Sequence, residues 1–134
     1  MNNRRKFRQL FCATHERLIQ ERWERLSGPD HAPACVALFG AGAHTRWLLK
    51  LVRHTKGPRI TVILDDQATP KQRLMGVPVR RPDAFDAATV KAIILSSDAL
   101  IRKFTARCRA LYGKKVPLIN LHKDLPPGPY PKET

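Results

Sequence analysis

The sequence predicts an α/β fold: a doubly wound, mostly parallel sheet of about five strands, with an extra N-terminal helix. Short apolar runs bounded by turn residues alternate along the chain with segments whose apolar residues recur at helical spacing. Crossover connections of this kind join parallel strands, so helices cover both faces of the sheet. With the strands numbered along the chain, the expected order across the sheet is 3-2-1-4-5. The 134 residues suit one such domain.

The first predicted element is an amphipathic helix from residue 3 to about residue 26. Phe7, Phe11, Trp23 and Leu26 lie near one face of it, and "SGPD" at Ser27–Asp30 ends it. The helix packs either on the domain body or, through those side chains, on a second copy of the chain or a partner protein. The predicted divisions are a helix in residues 1–30, an α/β domain in 31–122 and an extended or disordered proline-rich tail in 123–134.

Five apolar runs are predicted to be strands: Cys35–Phe39, Ile60–Leu64, Val77–Val79, Ala92–Leu95 and Val116–Leu121. Pro78 places the third of them at a sheet edge, because proline lacks the amide hydrogen that a central strand donates. A helix follows the first strand and runs to Val52, and a short one covers Pro82 to about Ala88. The last helix is capped by Ser97 or Asp98 and ends at Gly113.

The formal net charge is +14, from 25 Lys and Arg against 11 Asp and Glu, which favours polyanionic partners in general. The basic residues are spread over several elements without interleaved aromatic residues, so specific nucleic-acid binding is disfavoured. Cys12, Cys35 and Cys108 are odd in number and widely spaced, which fits a reducing cytoplasm rather than a disulfide framework. We expect no signal peptide, no membrane span and no metal site, because neither the apolar runs nor the spacing of ligands supports one.

The turn "GAGAHT", Gly40 to Thr45, is the strongest candidate for a binding site. It comprises Gly40, Ala41, Gly42, Ala43, His44 and Thr45. Gly40 allows a sharp turn out of the strand, Gly42 allows close approach of a phosphate, and the following helix directs its first amides at the anion. His44 could bond that phosphate or act as a base, although a packing role is the plainer interpretation. Thr45 stands where a dinucleotide fingerprint has Gly or Ala, which weakens a plain dinucleotide interpretation.

Acids and hydroxyls follow two further strands. Asp65 and Asp66 end the second strand, where a carboxylate that binds a ribose is expected, and they favour NAD or another nucleoside over NADP. Ser96 and Ser97 end the fourth strand, next to the glycine turn in the expected order, and would line the opposite wall of the crevice. The alternative is that the glycines only make a turn, the acids are solvated and the serines cap a helix.

Five segments together resemble a known kind of domain: "VALFGAGAHTRWLL", "VILDDQ", "LMGVPVRRPDAF", "AIILSSDALIRK" and "VPLINL". Over about residues 34 to 121 the chain resembles the small Rossmann-like domains appended to sugar C-methyltransferases and glycosyltransferases. It is also similar to the N-terminal nucleotide-sugar-binding domains of bacterial sugar acyltransferases. This resemblance implies nucleotide or nucleotide-sugar binding at Gly40, Gly42 and Asp65, with Asp66 as a further candidate. It also implies that any chemistry is carried out elsewhere.

Four functions remain open at this point. The first is a binding module without catalysis for a nucleotide, a nucleotide-sugar or NAD. The second is a small NAD-dependent epimerase-like or reductase-like enzyme, although Tyr112 and Lys115 are three residues apart and do not form the Tyr-x-x-x-Lys pair. The third is an interaction module that has lost its ligand and uses the N-terminal helix, and the fourth is a basic polyanion binder.

Overall fold

The computed structural model describes residues 3–27, 34–97 and 99–125, and over residues 3–12 it describes the backbone alone. Its helices are α1 (Asn3–Glu24), α2 (Ala43–Val52) and α3 (Ile101–Tyr112). Its strands are β1 (Cys35–Phe39), β2 (Arg59–Leu64), β3 (Arg73–Leu74), β4 (Val77–Arg80), β5 (Ala92–Leu95) and β6 (Leu118–Ile119). Of the helices described, none combines the length and apolar content that a membrane crossing needs.

The sheet has six strands in the order β3-β4-β2-β1-β5-β6. All pairs are parallel except β3 with β4. The predicted order and the mostly parallel sheet are therefore confirmed, with one extra antiparallel strand at an edge. Phe39 pairs with Leu64 on one side and with Leu95 on the other, so β1, β2 and β5 end side by side. The segments that follow these three strands consequently meet at one edge of the sheet.

Alternate residues of the central strands pack into two separate hydrophobic cores, one on each face of the sheet. Leu38 and Ile94 pack on one face of the sheet with Ile19 and Trp23 of α1 and Leu48 of α2. On the other face, the alternate strand residues pack with Cys108 and Tyr112 of α3, and they are Ala37, Phe39, Ile93 and Leu95. Both faces of β1 and β5 are thus covered, which explains their uninterrupted apolar runs.

The predicted edge position of Pro78 is wrong, because β4 lies between β2 and β3. The chain turns back at Met75 and Gly76, both with positive φ (50° and 85°), and lays β3 antiparallel against β4. The parallel ladder with β2 begins at Val79, one residue after Pro78. On the side of β3, the Val79 amide donates to the carbonyl of Gln72 at 2.9 Å. Proline is tolerated here because neither ladder needs an amide from position 78.

Two other predicted elements are shorter than expected. Residues 82–88 form two 3₁₀ turns, Pro82–Ala84 and Ala87–Thr89, because Phe85 between them is extended. The last strand is confined to Leu118–Ile119 within the predicted run to Leu121. Asp98, Gly28–Asp30 and the tail from residue 126 lie outside the described residues.

Helix α1 is part of the domain's own core. Trp23 is 1% exposed, and the partly buried Leu26 packs against the same cluster, so both side chains contribute to the core of this chain. The side chains of Phe7 and Phe11 lie outside the described part of the helix. Near its end, Arg22 Nη1 donates to the carbonyls of Leu121 (2.8 Å) and Lys123 (2.7 Å). These bonds fasten the segment after β6 to α1.

Gly57 is expected to tolerate no side chain. A Cβ there would lie 2.5 Å from Trp23 Cδ1 and Nε1, so Gly57→Ala must displace a fully buried indole. We expect a loss of about 1–3 kcal/mol in urea unfolding, together with a changed near-UV circular dichroism signal. Gly76→Ala is the control, because its Cβ would meet nothing within 4 Å and only its positive φ adds strain. If Gly57→Ala and Gly76→Ala lost the same free energy of unfolding and the near-UV tryptophan signal were unchanged, the packing argument would be contradicted.

Cys108 is expected to weaken the fold at alkaline pH. Burial raises the pKa of its thiol to about 12. In the unfolded chain the thiol ionises from about pH 8.5, so between these values the unfolded state binds fewer protons than the folded state. The free energy of unfolding therefore falls as pH rises, by up to about 1.4 kcal/mol per pH unit. The free energy of unfolding, measured by urea titration from pH 8 to 11, should fall less steeply for Cys108→Ala than for the wild type. Equal slopes would show that the Cys108 thiol does not cause the decline.

Candidate functional site

The turn between β1 and α2 depends on a glycine backbone. Gly40 has a φ of 111°, and its amide donates to the Leu64 carbonyl at 2.8 Å. A Cβ at this position would lie 2.9 Å from Phe104 Cε2 and 3.3 Å from the Ser96 carbonyl oxygen. Both the backbone conformation and the lack of space therefore require glycine.

Helix α2 begins directly after this turn. Gly42 is its N-cap, with extended backbone angles (φ −90°, ψ −159°) and no side chain to bond the helix amides. The first amides of a helix have no carbonyl partner within the helix, and the helix dipole favours negative charge there. The first turn of α2 carries no acidic residue that would supply this charge. Ala43 and the residues after it thus form a helix start suited to an external anion.

Asp65 clamps the glycine turn to the end of β2. Its Oδ2 accepts the Ala41 amide at 3.1 Å, and its Oδ1 accepts the Gln67 amide at 2.7 Å. A carboxylate offers about four lone-pair sites, so each oxygen retains one for a donor outside the protein. Asp65 therefore holds the turn in place and still faces solvent in part.

A pocket of about 550 Å³ opens beside the turn. Its lining residues come from the ends of β1 and β2 and from α3, and they are Phe39, Gly40, Asp65, Asp66, Gln67, Lys103, Phe104, Ala106 and Arg107. Across it, Arg107 Nη2 bonds Asp66 Oδ1 at 2.9 Å, and Arg107 Nε lies 3.2 and 3.3 Å from the two carboxylate oxygens. Two acids and two bases leave the pocket without net formal charge, in contrast to the strongly basic chain.

Three of the predicted site residues lie beneath the turn, inside the protein. Thr45, Ser96 and His44 are 0%, 1% and 3% exposed. The Thr45 hydroxyl bonds the Gly40 carbonyl and lies 2.7 Å from Ser96 Oγ, which lies 2.9 Å from His44 Nδ1. His44 Nε2 then lies 2.7 Å from Nε2 of His122, in the segment after β6. These hydroxyls and the imidazole of His44 fill the space that the sequence interpretation had left for a ligand.

The position of Ser96 follows from the alternation of β5. Leu95 points to the α3 face of the sheet, so the next residue points to the α2 face, where His44 and Thr45 lie. Ser97 is also buried, and its Oγ accepts the amides of Ala99 (3.2 Å) and Leu100 (2.9 Å). Ser97 thus orders the entry to α3, close to the capping role that was its alternative interpretation.

The described side chains that resemble a nucleophile or a general base are engaged in internal hydrogen bonds. Ser96 and His44 resemble a nucleophile with its base, but both are buried, and the Ser96 hydroxyl is also engaged with Thr45. The Tyr112 hydroxyl donates to the Pro82 carbonyl, and burial raises its pKa to about 12, so it is not poised to exchange a proton near neutrality. Within the described ranges, no three His, Cys, Asp or Glu side chains are arranged to hold a metal ion.

Of the residues proposed from the sequence, Gly40, Asp65 and Asp66 meet at the pocket. Ala41, Gly42 and Ala43 form the adjoining turn and helix start. Sequence reasoning missed the α3 residues Lys103, Phe104 and Arg107 as well as His122. Lys103 and Arg107 are four residues apart, which places them on one face of the helix. This spacing is the sequence signal that could have found them.

Asp65 and Asp66 are expected to differ sharply in their effect on stability. In Asp65→Asn one carboxylate oxygen becomes an NH₂ group, so the amide of either Ala41 or Gln67 loses its acceptor. We expect a loss of about 1–3 kcal/mol in urea unfolding. Asp66→Asn is the matched control: its ion pair with Arg107 is 43% and 42% exposed, so solvent screens it and its loss should change stability little. Similar losses in the two variants would show that Asp65 does not clamp the turn.

Similarity to known proteins does not identify this site. No family model, no curated protein and no solved structure matches the chain. The resemblance to small nucleotide-sugar-binding domains accordingly rests on the motifs quoted above.

Proposed function

We propose that this chain is a non-catalytic binding module for a phosphate-bearing nucleotide ligand: a nucleotide, a nucleotide-sugar or NAD. The observation that carries the proposal is the uncapped start of α2, which follows a glycine turn at the shared edge of β1, β2 and β5. Ligands of open parallel sheets bind at such edges, outside the carboxyl ends of the strands.

In this proposal the phosphate bonds the amides at the start of α2. Gly42 brings no side chain between those amides and the anion. The Ala41 amide does not take part, because it is bound to Asp65. The anion is therefore held by the helix amides and the helix dipole, and the first glycine has the separate task of making the turn.

The pocket supplies contacts for the rest of the ligand. Asp65 accepts hydrogen bonds from ribose or sugar hydroxyls through its remaining lone pairs. Phe39, Phe104 and Ala106 give an apolar wall for a flat base, and Lys103 offers a charge for a second phosphate. The volume of about 550 Å³ lies within the range of small-molecule sites.

The resemblance to small Rossmann-like domains agrees with this proposal in both ligand class and lack of catalysis. An enzymatic function is the weaker alternative, because Ser96 and His44 are buried and bonded to each other, and the buried Tyr112 hydroxyl is bonded to the Pro82 carbonyl. The binding module also accounts for the acidic residues at the end of β2, which a general polyanion binder would not need.

The proposal is tested by thermal unfolding with NAD, NADP, UDP-sugars, S-adenosylmethionine and inorganic phosphate. A ligand at roughly 100 times its Kd adds about 2.7 kcal/mol, which raises Tm by on the order of 10 °C in a domain of this size. In Gly42→Asp the new carboxylate caps α2 and occupies the place of the anion, and the extended backbone of Gly42 accepts it. We expect an unchanged or slightly higher Tm without ligand, and loss of the ligand-induced shift.

Gly76→Asp is the matched control, since it makes the same substitution in the β3–β4 turn, where no atom lies within 4 Å of the added Cβ. It should retain the shift. A ligand-induced shift that survives Gly42→Asp would place the phosphate elsewhere and overturn the assignment of the turn. A well-folded protein with no shift for any of the compounds would overturn the proposed function itself.

A further inference from the structure

Four buried side chains form one hydrogen-bond relay beneath the glycine turn. It starts at the Gly40 carbonyl, passes through Thr45, Ser96 and His44, and ends at His122, 78 residues from His44 along the chain. The relay joins α2, the end of β5 and the segment after β6. None of the four side chains is more than 7% exposed.

The direction of this relay follows from counting hydrogens. The Gly40 carbonyl can only accept, so Thr45 donates its one hydroxyl hydrogen to it. Ser96 must then donate its only hydroxyl hydrogen to Thr45. His44 must consequently donate from Nδ1 to Ser96. The arrangement therefore fixes the tautomer of His44, with a hydrogen on Nδ1.

The other nitrogen of His44 meets His122. Their Nε2 atoms lie 2.7 Å apart, so one of the two carries a hydrogen and the other accepts it. When both rings are neutral, His44 keeps its hydrogen on Nδ1 and accepts at Nε2, and His122 is the donor. His122 thus stabilises the same tautomer of His44 that the Gly40 end of the relay requires, because the bond at one imidazole nitrogen affects which nitrogen carries the hydrogen.

The surroundings hold His122 in place. On α1, His15 stacks on its ring at 5.5 Å, and Arg22 bonds the carbonyls of Leu121 and Lys123 on either side of it. The His122 amide donates to Asn120 Oδ1 at 2.9 Å. Lys123 and Asp124, which follow His122 in its own segment, are exposed.

We propose that His122 is a positioning residue for the glycine turn. Through His44, Ser96 and Thr45 it fixes the direction of the Gly40 carbonyl, and with it the backbone from which α2 starts. That this backbone serves an anion rests on the proposed function above. The positioning itself is a property of the protein without ligand.

The first test is the tautomer, measured at pH 7.5 by long-range ¹H–¹⁵N NMR of the histidine rings without ligand. We expect a protonated Nδ1 on His44, a protonated Nε2 on His122 and a scalar coupling across the Nε2–Nε2 hydrogen bond. An unprotonated Nδ1 on His44 would overturn the relay. This measurement uses the wild type alone, so it does not depend on any variant folding.

The second test separates positioning from packing. His122→Gln retains an N–H donor of similar reach, whereas His122→Leu keeps bulk but removes the donor. We expect the leucine variant to lose the Nδ1 tautomer of His44 and to shift the ¹³C resonance of the Gly40 carbonyl, and the glutamine variant to preserve both. An unchanged Gly40 carbonyl in a folded His122→Leu protein would refute the positioning role.

Binding of the best ligand from the thermal panel then links the relay to the turn. We expect about a tenfold weaker Kd in His122→Leu, with affinity regained in His122→Gln. Unchanged affinity in His122→Leu would show that the relay does not reach the anion site. If the tautomer and the carbonyl shift are as expected but no nucleotide binds the wild type, the proposed function fails and the relay stands.

Discussion

The backbone of Gly40 is the constraint on which the rest of this site depends. Its amide is bound to β2 through Leu64, its carbonyl is bound to α2 through Thr45, and the ring of Phe104 on α3 occupies the space of a missing Cβ. Three elements are thus fitted around one residue that has no side chain. The start of α2, the position of Asp65 and the shape of the pocket all follow from this arrangement.

Around that residue the protein separates two kinds of polar group. Charged side chains line the solvent-facing pocket, where Asp66 and Arg107 neutralise each other. Hydroxyls and imidazoles fill the interior beneath the turn. Burial of unpaired charge is costly, whereas buried hydroxyls and imidazoles are tolerated when each finds a partner. The buried hydroxyls and imidazoles thus support the turn from below, and the charged side chains remain on the solvent side of it.

Much of the fold follows from local sequence signals. β1 and β5 match their predicted bounds, because uninterrupted apolar runs end at residues that break strands. Strand β3 was missed, since two residues carry no periodicity and only the positive φ at Met75 and Gly76 creates it. At the site, the glycines and acids were recognisable from their order along the chain. The burial of Ser96 was accessible through the alternation of β5, but the contact between His44 and His122 was not, because nothing local links residues so far apart.

The bonds from Arg22 to the carbonyls of Leu121 and Lys123 have a consequence for how the chain folds as it is synthesised. Helix α1 is synthesised before the sheet, and the bonds that Arg22 makes near its end reach a segment made about a hundred residues later. At an elongation rate of about 5–20 residues per second, the exposed apolar face of α1 waits several seconds for its last partner. The apolar face of α1 therefore lacks part of its cover in the nascent chain until residue 123 has emerged.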